Sequence, residues 1–161
     1  MFIKTRRFGE LEIKEDSLIS FPKGLIGFPQ ARTFVLIRKG NSDMVGWLQA
    51  VDEPDLALPV ISAHAIVADY PDVPIADAAA AAGLGSTQEA MAILAVLTAL
   101  PHQPPTLNLL APIVINANTR RGAQILLEGS RFSTRERFDP PAPASKVSAE
   151  EHATVAVSTA P

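Results

Sequence analysis

The stretch Leu107 to Glu128, LNLLAPIVINANTRRGAQILLE, constrains the fold more than any other part of the chain. Two apolar runs flank a polar, Asn-bracketed connection, which is the pattern of a β-hairpin with Ile113 and Ile115 as buried strand residues. Pro112 has no N–H to donate to a ladder. The strand carrying Ile113, Val114 and Ile115 is therefore expected to begin at Pro112 or to run along a sheet edge, a place for pairing or docking. Asn116, Asn118, Thr119 and Gly122 supply the turn, because Asn tolerates positive φ and Gly adopts it freely.

The rest of the chain repeats this β pattern in shorter pieces. Phe2 to Ile13 alternates as two strands around Arg7 to Gly9, with Ile3, Leu11 and Ile13 facing inward. Leu18 to Phe21 is a further strand, and it runs into Phe21-Pro22-Lys23-Gly24-Leu25-Ile26-Gly27-Phe28-Pro29, a fixed apolar loop in which Gly24 and Gly27 are expected at positive φ. Thr33 to Ile37 forms a strand that Lys39-Gly40-Asn41 turns back. Trp47 to Val51 and Leu58 to Ser62 pair across the exposed turn Asp52-Glu53-Pro54-Asp55, with Trp47 more apt for core than for interface. The alanine run ending at Gly83 predicts one short helix. Ser86 with Glu89 resembles a capping box and would start a helix through Ala90 to Leu94, whereas Ile93, Ala95 and Leu97 alternate as a strand would. From Asp139 the composition turns to Ala, Pro, Ser, Thr and Val, which predicts a disordered tail over 139–161 after one domain over 1–138.

Composition removes most chemistries. The chain has 161 residues, enough for one core, and no Cys, so no disulfide, thiolate metal site or cysteine nucleophile is available. The N-terminus lacks an apolar export segment, and the longest apolar-rich run, Ala90 to Leu100, is too short for a membrane span, so a soluble, cytoplasmic protein is expected; a monomer is expected as well. His64, His102 and His152 are far apart and fit no metal-ligand spacing. Phosphate-loop, dinucleotide and Gly-x-Ser-x-Gly patterns are absent, and neither a catalytic residue nor a cofactor is expected. Charge is unevenly spread. No Lys or Arg occurs between Lys39 and Arg120, while Asp43, Asp52, Glu53, Asp55, Asp69, Asp72, Asp77 and Glu89 all lie there. Such a segment is either a solvated face or a surface that draws in a basic partner and repels nucleic acid. The late arginines Arg120, Arg121, Arg131, Arg135 and Arg137 offer the alternative, a β-barrel nucleic-acid-binding module.

A β domain without a catalytic constellation points to protein–protein recognition. Four blocks sharpen this: KTRRFGELEI near the start, the FP-GL-GF loop at Phe21 to Phe28, GWLQAVDEPDLAL from Gly46 to Leu58, and NLLAPIVIN followed by a basic, Gly-containing turn. In that order they resemble the flagellar assembly factor FliW family, from Met1 to about Phe138. The resemblance implies a mainly β fold, a compact antiparallel β-barrel-like domain with one or two short helices, and it decides Ala90 to Leu94 for strand. It also implies two partners: newly made cytoplasmic flagellin, and the carbon storage regulator CsrA, an RNA-binding repressor of flagellin translation. On physical grounds Asp52, Glu53 and Asp55 are the candidates for a basic partner such as CsrA. Phe21, Phe28, Pro112 and Asn116 are the candidates for flagellin, which would dock on an apolar groove or strand edge. The alanine-rich stretch from Ala76 to Ala95 and the tail depart from the family pattern.

Overall fold

The computed structural model describes residues 1–40, 44–85 and 90–138, together with the backbone of Ala153–Val155. Asn41, Asp43, Ser86, Glu89, His152 and the rest of the expected tail lie outside the described residues. A two-stranded hairpin, β1 (Phe2–Thr5) with β2 (Gly9–Glu12), comes first, as the alternation predicts. It is followed by β3 (Ile19–Ser20), β4 (Thr33–Lys39), β5 (Val45–Ala50) and β6 (Ala57–Ser62). One short helix, α1 (Ala76–Ala81), separates these from β7 (Met91–Thr98), β8 (Thr106–Asn116) and β9 (Arg121–Gln124). The minor strands β10 (Glu136–Arg137) and β11 (Ala153–Val155) complete the order. No helix among the described residues is long and apolar enough to cross a membrane.

Seven strands close into a barrel in the order β8-β7-β6-β5-β4-β3-β9 and back to β8. Every pairing around the ring is antiparallel except β3 with β9. Side-chain alternation then sorts the apolar residues into inner and outer sets. Ile19, Phe21, Phe34, Leu36, Leu48, Val60, Leu94, Ile113 and Ile115 fill one core. Val35 and Ile37, the alternate residues of β4, pack instead with Ile3 and Ile13 beneath the β1–β2 hairpin, where Trp47 is half-buried. On another face Ile61, Ile93, Ala95, Leu107 and Val114 are covered by Tyr70, Ala79, Leu84, Leu127 and Phe138. Barrel strands covered inside and out read as unbroken apolar runs. This explains why β7 is a strand despite its alanines, since burial on both faces outweighs a helix propensity worth tenths of a kcal/mol per residue.

Pro112 corrects the sequence expectation. The strand neither begins there nor forms an edge: β8 runs through Pro112 and pairs with β7 on one side and β9 on the other. The proline is tolerated because the β7–β8 register shifts between Leu94 and Val96, so that Leu94 faces Ile113 while Val96 faces Asn108. A bulge needs no ladder donor at each residue. The turn chemistry also differs from expectation. Arg120 takes the positive φ of 58°, and Asn116 instead accepts the Asn118 and Thr119 N–H groups on its Oδ1 at 2.9 and 3.2 Å. Gly122 lies within β9, and a Cβ there would come 2.5 Å from the Phe21 ring.

Candidate partner-binding surfaces

The carboxylate turn is held from beneath by one buried amide. Gln49 is fully enclosed on β5, and its Nε2 donates to the carbonyls of Ala50, Glu53 and Pro54 at 3.0, 3.3 and 3.4 Å. Leu56 N–H donates to Glu53 O at 3.0 Å, and Arg6 N–H from the first hairpin donates to Pro54 O at 2.9 Å. The backbone is thus fixed while the side chains face water. Asp52 and Asp55 are exposed and Glu53 is half-buried. Gln30 Nε2 donates to Glu53 Oε1 at 3.1 Å, and Arg6 approaches Asp55 at 3.8 Å as a solvent-exposed pair. A pair of that kind contributes little to stability. Sequence reasoning passed over Gln49; its signal is a polar side chain inside a run of barrel residues just before a turn, where buried amide groups require partners.

The Phe21 to Phe28 loop is arranged the other way round. Phe21 is 0% exposed and meets Phe34 edge to face at 5.2 Å between ring centroids. Gly24 and Gly27 have φ of 66° and 88°, as the sequence predicts, and a Cβ on Gly24 would lie 2.6 Å from the carbonyl oxygens of Phe28 and Pro29. Phe28 is half-buried against the inner core, and Ile26, at 62% exposed, is the loop's outward apolar side chain. The Ile26 N–H donates to Gln124 Oε1 at 2.9 Å, and Gln124 Nε2 donates to Ala111 O at 3.0 Å, which ties the loop to β8 and β9. Pro112 and Asn116 are buried as well, with Asn116 Nδ2 donating to Leu84 O at 2.7 Å. Of the four apolar-site candidates, Phe28 alone offers partial surface.

A third feature is a cleft of about 740 Å³ lined by His64, Tyr70, Asp72, Ile75, Met91, Ile93 and Val114 among others. His64 is half-buried there. The Asp72 carboxylate accepts from Ser130 Oγ at 2.6 Å and from Arg131 N–H at 2.8 Å, and these bonds hold its pKa below the usual carboxylate range. Burial, and secondarily Asp72, push the Tyr70 phenol pKa up; its hydroxyl donates to Leu109 O at 2.7 Å. Tyr70 thus joins the outer layer to β8, and Asp72 ties two segments of that outer layer to each other. No group of three or more His, Asp or Glu side chains among the described residues is placed to hold a metal ion.

Charges do not gather as the sequence allowed. Asp52, Glu53 and Asp55 precede β6, whereas Asp69, Asp72 and Asp77 follow it, so the acidic segment is divided between the two ends of that strand. The arginines are divided too: Arg121 faces Asn116 and Arg137 faces Thr106, at opposite ends of β8. An extended strand of that length places them on the order of 30 Å apart. Arg131 lies 3.7 Å from Asp72 and over the Phe132 ring at 4.7 Å.

The family model of the FliW protein matches residues 2–138, the whole barrel and its covering layers. The chain belongs to the FliW family. Among curated relatives, the flagellar assembly factor FliW of Syntrophotalea carbinolica is 38% identical over 129 residues, covering 80% of this chain and 91% of that protein. The FliW of Thermotoga maritima is 36% identical over 138 residues, covering 84% and 91%. A crystal structure of the flagellar assembly factor FliW superposes with a TM-score of 0.76 at 28% identity, covering 87% of this chain and 98% of that one. The FliW match ends at Phe138, short of β11.

Proposed function

We propose that this flagellar assembly factor is a non-catalytic cytoplasmic clamp with two alternative occupants, flagellin awaiting export and the translational regulator CsrA. Flagellin that accumulates fills the clamp and leaves CsrA free to repress the flagellin message; export empties it, and CsrA is captured. One observation carries the electrostatic half of this proposal: Asp52, Glu53 and Asp55 project from a backbone that Gln49 has already fixed. A preordered carboxylate turn loses little entropy on binding and steers a basic, RNA-binding partner by long-range attraction. The apolar half rests on Ile26 and Phe28, held in position for an extended or folding flagellin segment. Phe21, Pro112 and Asn116 serve this surface from beneath.

Co-purification from cells tests the switch. Flagellin and CsrA recovered in separate complexes, never together, agree with it; a ternary complex, or recovery of neither, rejects it. Reversing Asp52, Glu53 and Asp55 to Lys should slow CsrA association about tenfold or more at low salt and flatten its salt dependence. Direct nucleic-acid binding gains no support from arginines set at opposite ends of β8.

A further inference from the structure

The barrel leaves one strand only partly used. On the side away from β5, β4 is paired with β3 at Phe34 and Thr33, and β3 is only two residues long. Beyond Phe34, that side of β4 meets a single strand among the described residues: β11, which places Ala153 opposite Lys39, Thr154 opposite Arg38 and Val155 opposite Ile37. A row of backbone donors and acceptors at such an edge is a ready template for an added strand. We propose that the β4 edge from Ile37 to Lys39 is a strand-acceptor site, plugged in the resting chain by its own C-terminal segment and opened to an extended segment of a partner that displaces it.

The plug specifies the chemistry of that partner. Ahead of β11 the sequence reads Ala149-Glu150-Glu151-His152, and after it Ala156-Val157, so carboxylates precede small and β-branched residues. The antiparallel register sets Ala153, the first residue of β11, opposite Lys39. Strand addition draws affinity from main-chain bonds and selects by alternate side chains and charge. The partner segment is therefore an extended polypeptide with acidic residues leading into small and β-branched ones. Residues 139–152 connect plug to domain, and a tether of that length gives an effective concentration on the order of millimolar. Against a competitor with a Kd on the order of 0.1 mM, a plug with a comparable dissociation constant weakens apparent binding about tenfold.

The test uses the full chain carrying Thr154→Pro and Val155→Pro. Adjacent residues of a strand direct their N–H groups to opposite sides, so one of the two prolines removes a donor facing β4 whichever phase the ladder has. A labelled peptide of residues 149–157, AEEHATVAV, should bind the variant about tenfold more tightly than the parent chain, and amide exchange at residues 37–39 should be about tenfold faster in the variant alone. Equal affinity for both chains, binding to neither, or unchanged exchange overturns the proposal. Dimers of the parent that the two prolines convert to monomers overturn it as well, because the plug would then come from a second copy. None of these outcomes depends on flagellin or CsrA being a partner.

Discussion

The Pro/Gly loop at Phe21 to Phe28 and the carboxylate turn at Asp52 to Asp55 both stand out in the sequence, and the fold treats them as opposites. In the loop the leading aromatic turns inward: Phe21 is enclosed against Phe34, and Gly122 is small because that ring lies on it. In the turn the backbone is anchored inward through Gln49 while the carboxylates remain in water. A conspicuous motif can thus be conspicuous for scaffolding or for recognition. Which part of it faces the core decides between them, and a change in the first should alter stability where a change in the second alters binding.

Four measurements would break or sharpen that contrast. The largest effect belongs to the loop: Phe21→Ala should cost about 3–5 kcal/mol in denaturant unfolding, since a fully buried ring leaves a cavity. A loss under about 1 kcal/mol would return Phe21 to the partner surface. Gly24→Ala comes next, at roughly 2–4 kcal/mol, because a Cβ would strike backbone carbonyls at 2.6 Å in a left-handed conformation. Tyr70→Phe should cost about 1–2 kcal/mol by leaving Leu109 O without its donor. Burial raises the folded-state pKa of this phenol above its ordinary value of 10.0, so its contribution is complete below pH 10 and is lost as pH rises further; an alkaline unfolding curve of the Phe variant should lack that fall. The smallest change in stability, within about 0.5 kcal/mol, should follow Asp55→Asn, whose ion pair with Arg6 is exposed and 3.8 Å long. Stability lost there on the scale of Phe21→Ala would erase the distinction between the two regions.

Much of the architecture is legible in the residues. The first hairpin, the β5–β6 pair, the α1 helix followed by Gly83, and the β8–β9 hairpin all follow from alternation and turn chemistry. The β7 assignment needed the family resemblance, because alanine propensity and a capping pattern argued for helix. The placement of Pro112 is not legible, because the register shift that accommodates it belongs to the pairing of β7 with β8 and can be seen in neither strand alone. Candidate surfaces were half legible. Asp52 and Asp55 are exposed as carboxylates in a Pro-containing turn should be, whereas the burial of Phe21 against Phe34 and of Asn116 beside Leu84 is not visible in the sequence.

By itself the sequence determined what is local: where strands alternate, where glycine must take positive φ, and which stretch carries one sign of charge. Tertiary structure alone decided what each side chain faces. It divided the carboxylates between the ends of β6 and the arginines between the ends of β8, and it left one side of β4 to be met by the chain's own last strand. The reason is physical. Periodicity and propensity act over a few residues, but burial and field strength depend on barrel closure, which brings β3 beside β9, with Ser20 opposite Arg121 about a hundred residues away in the chain.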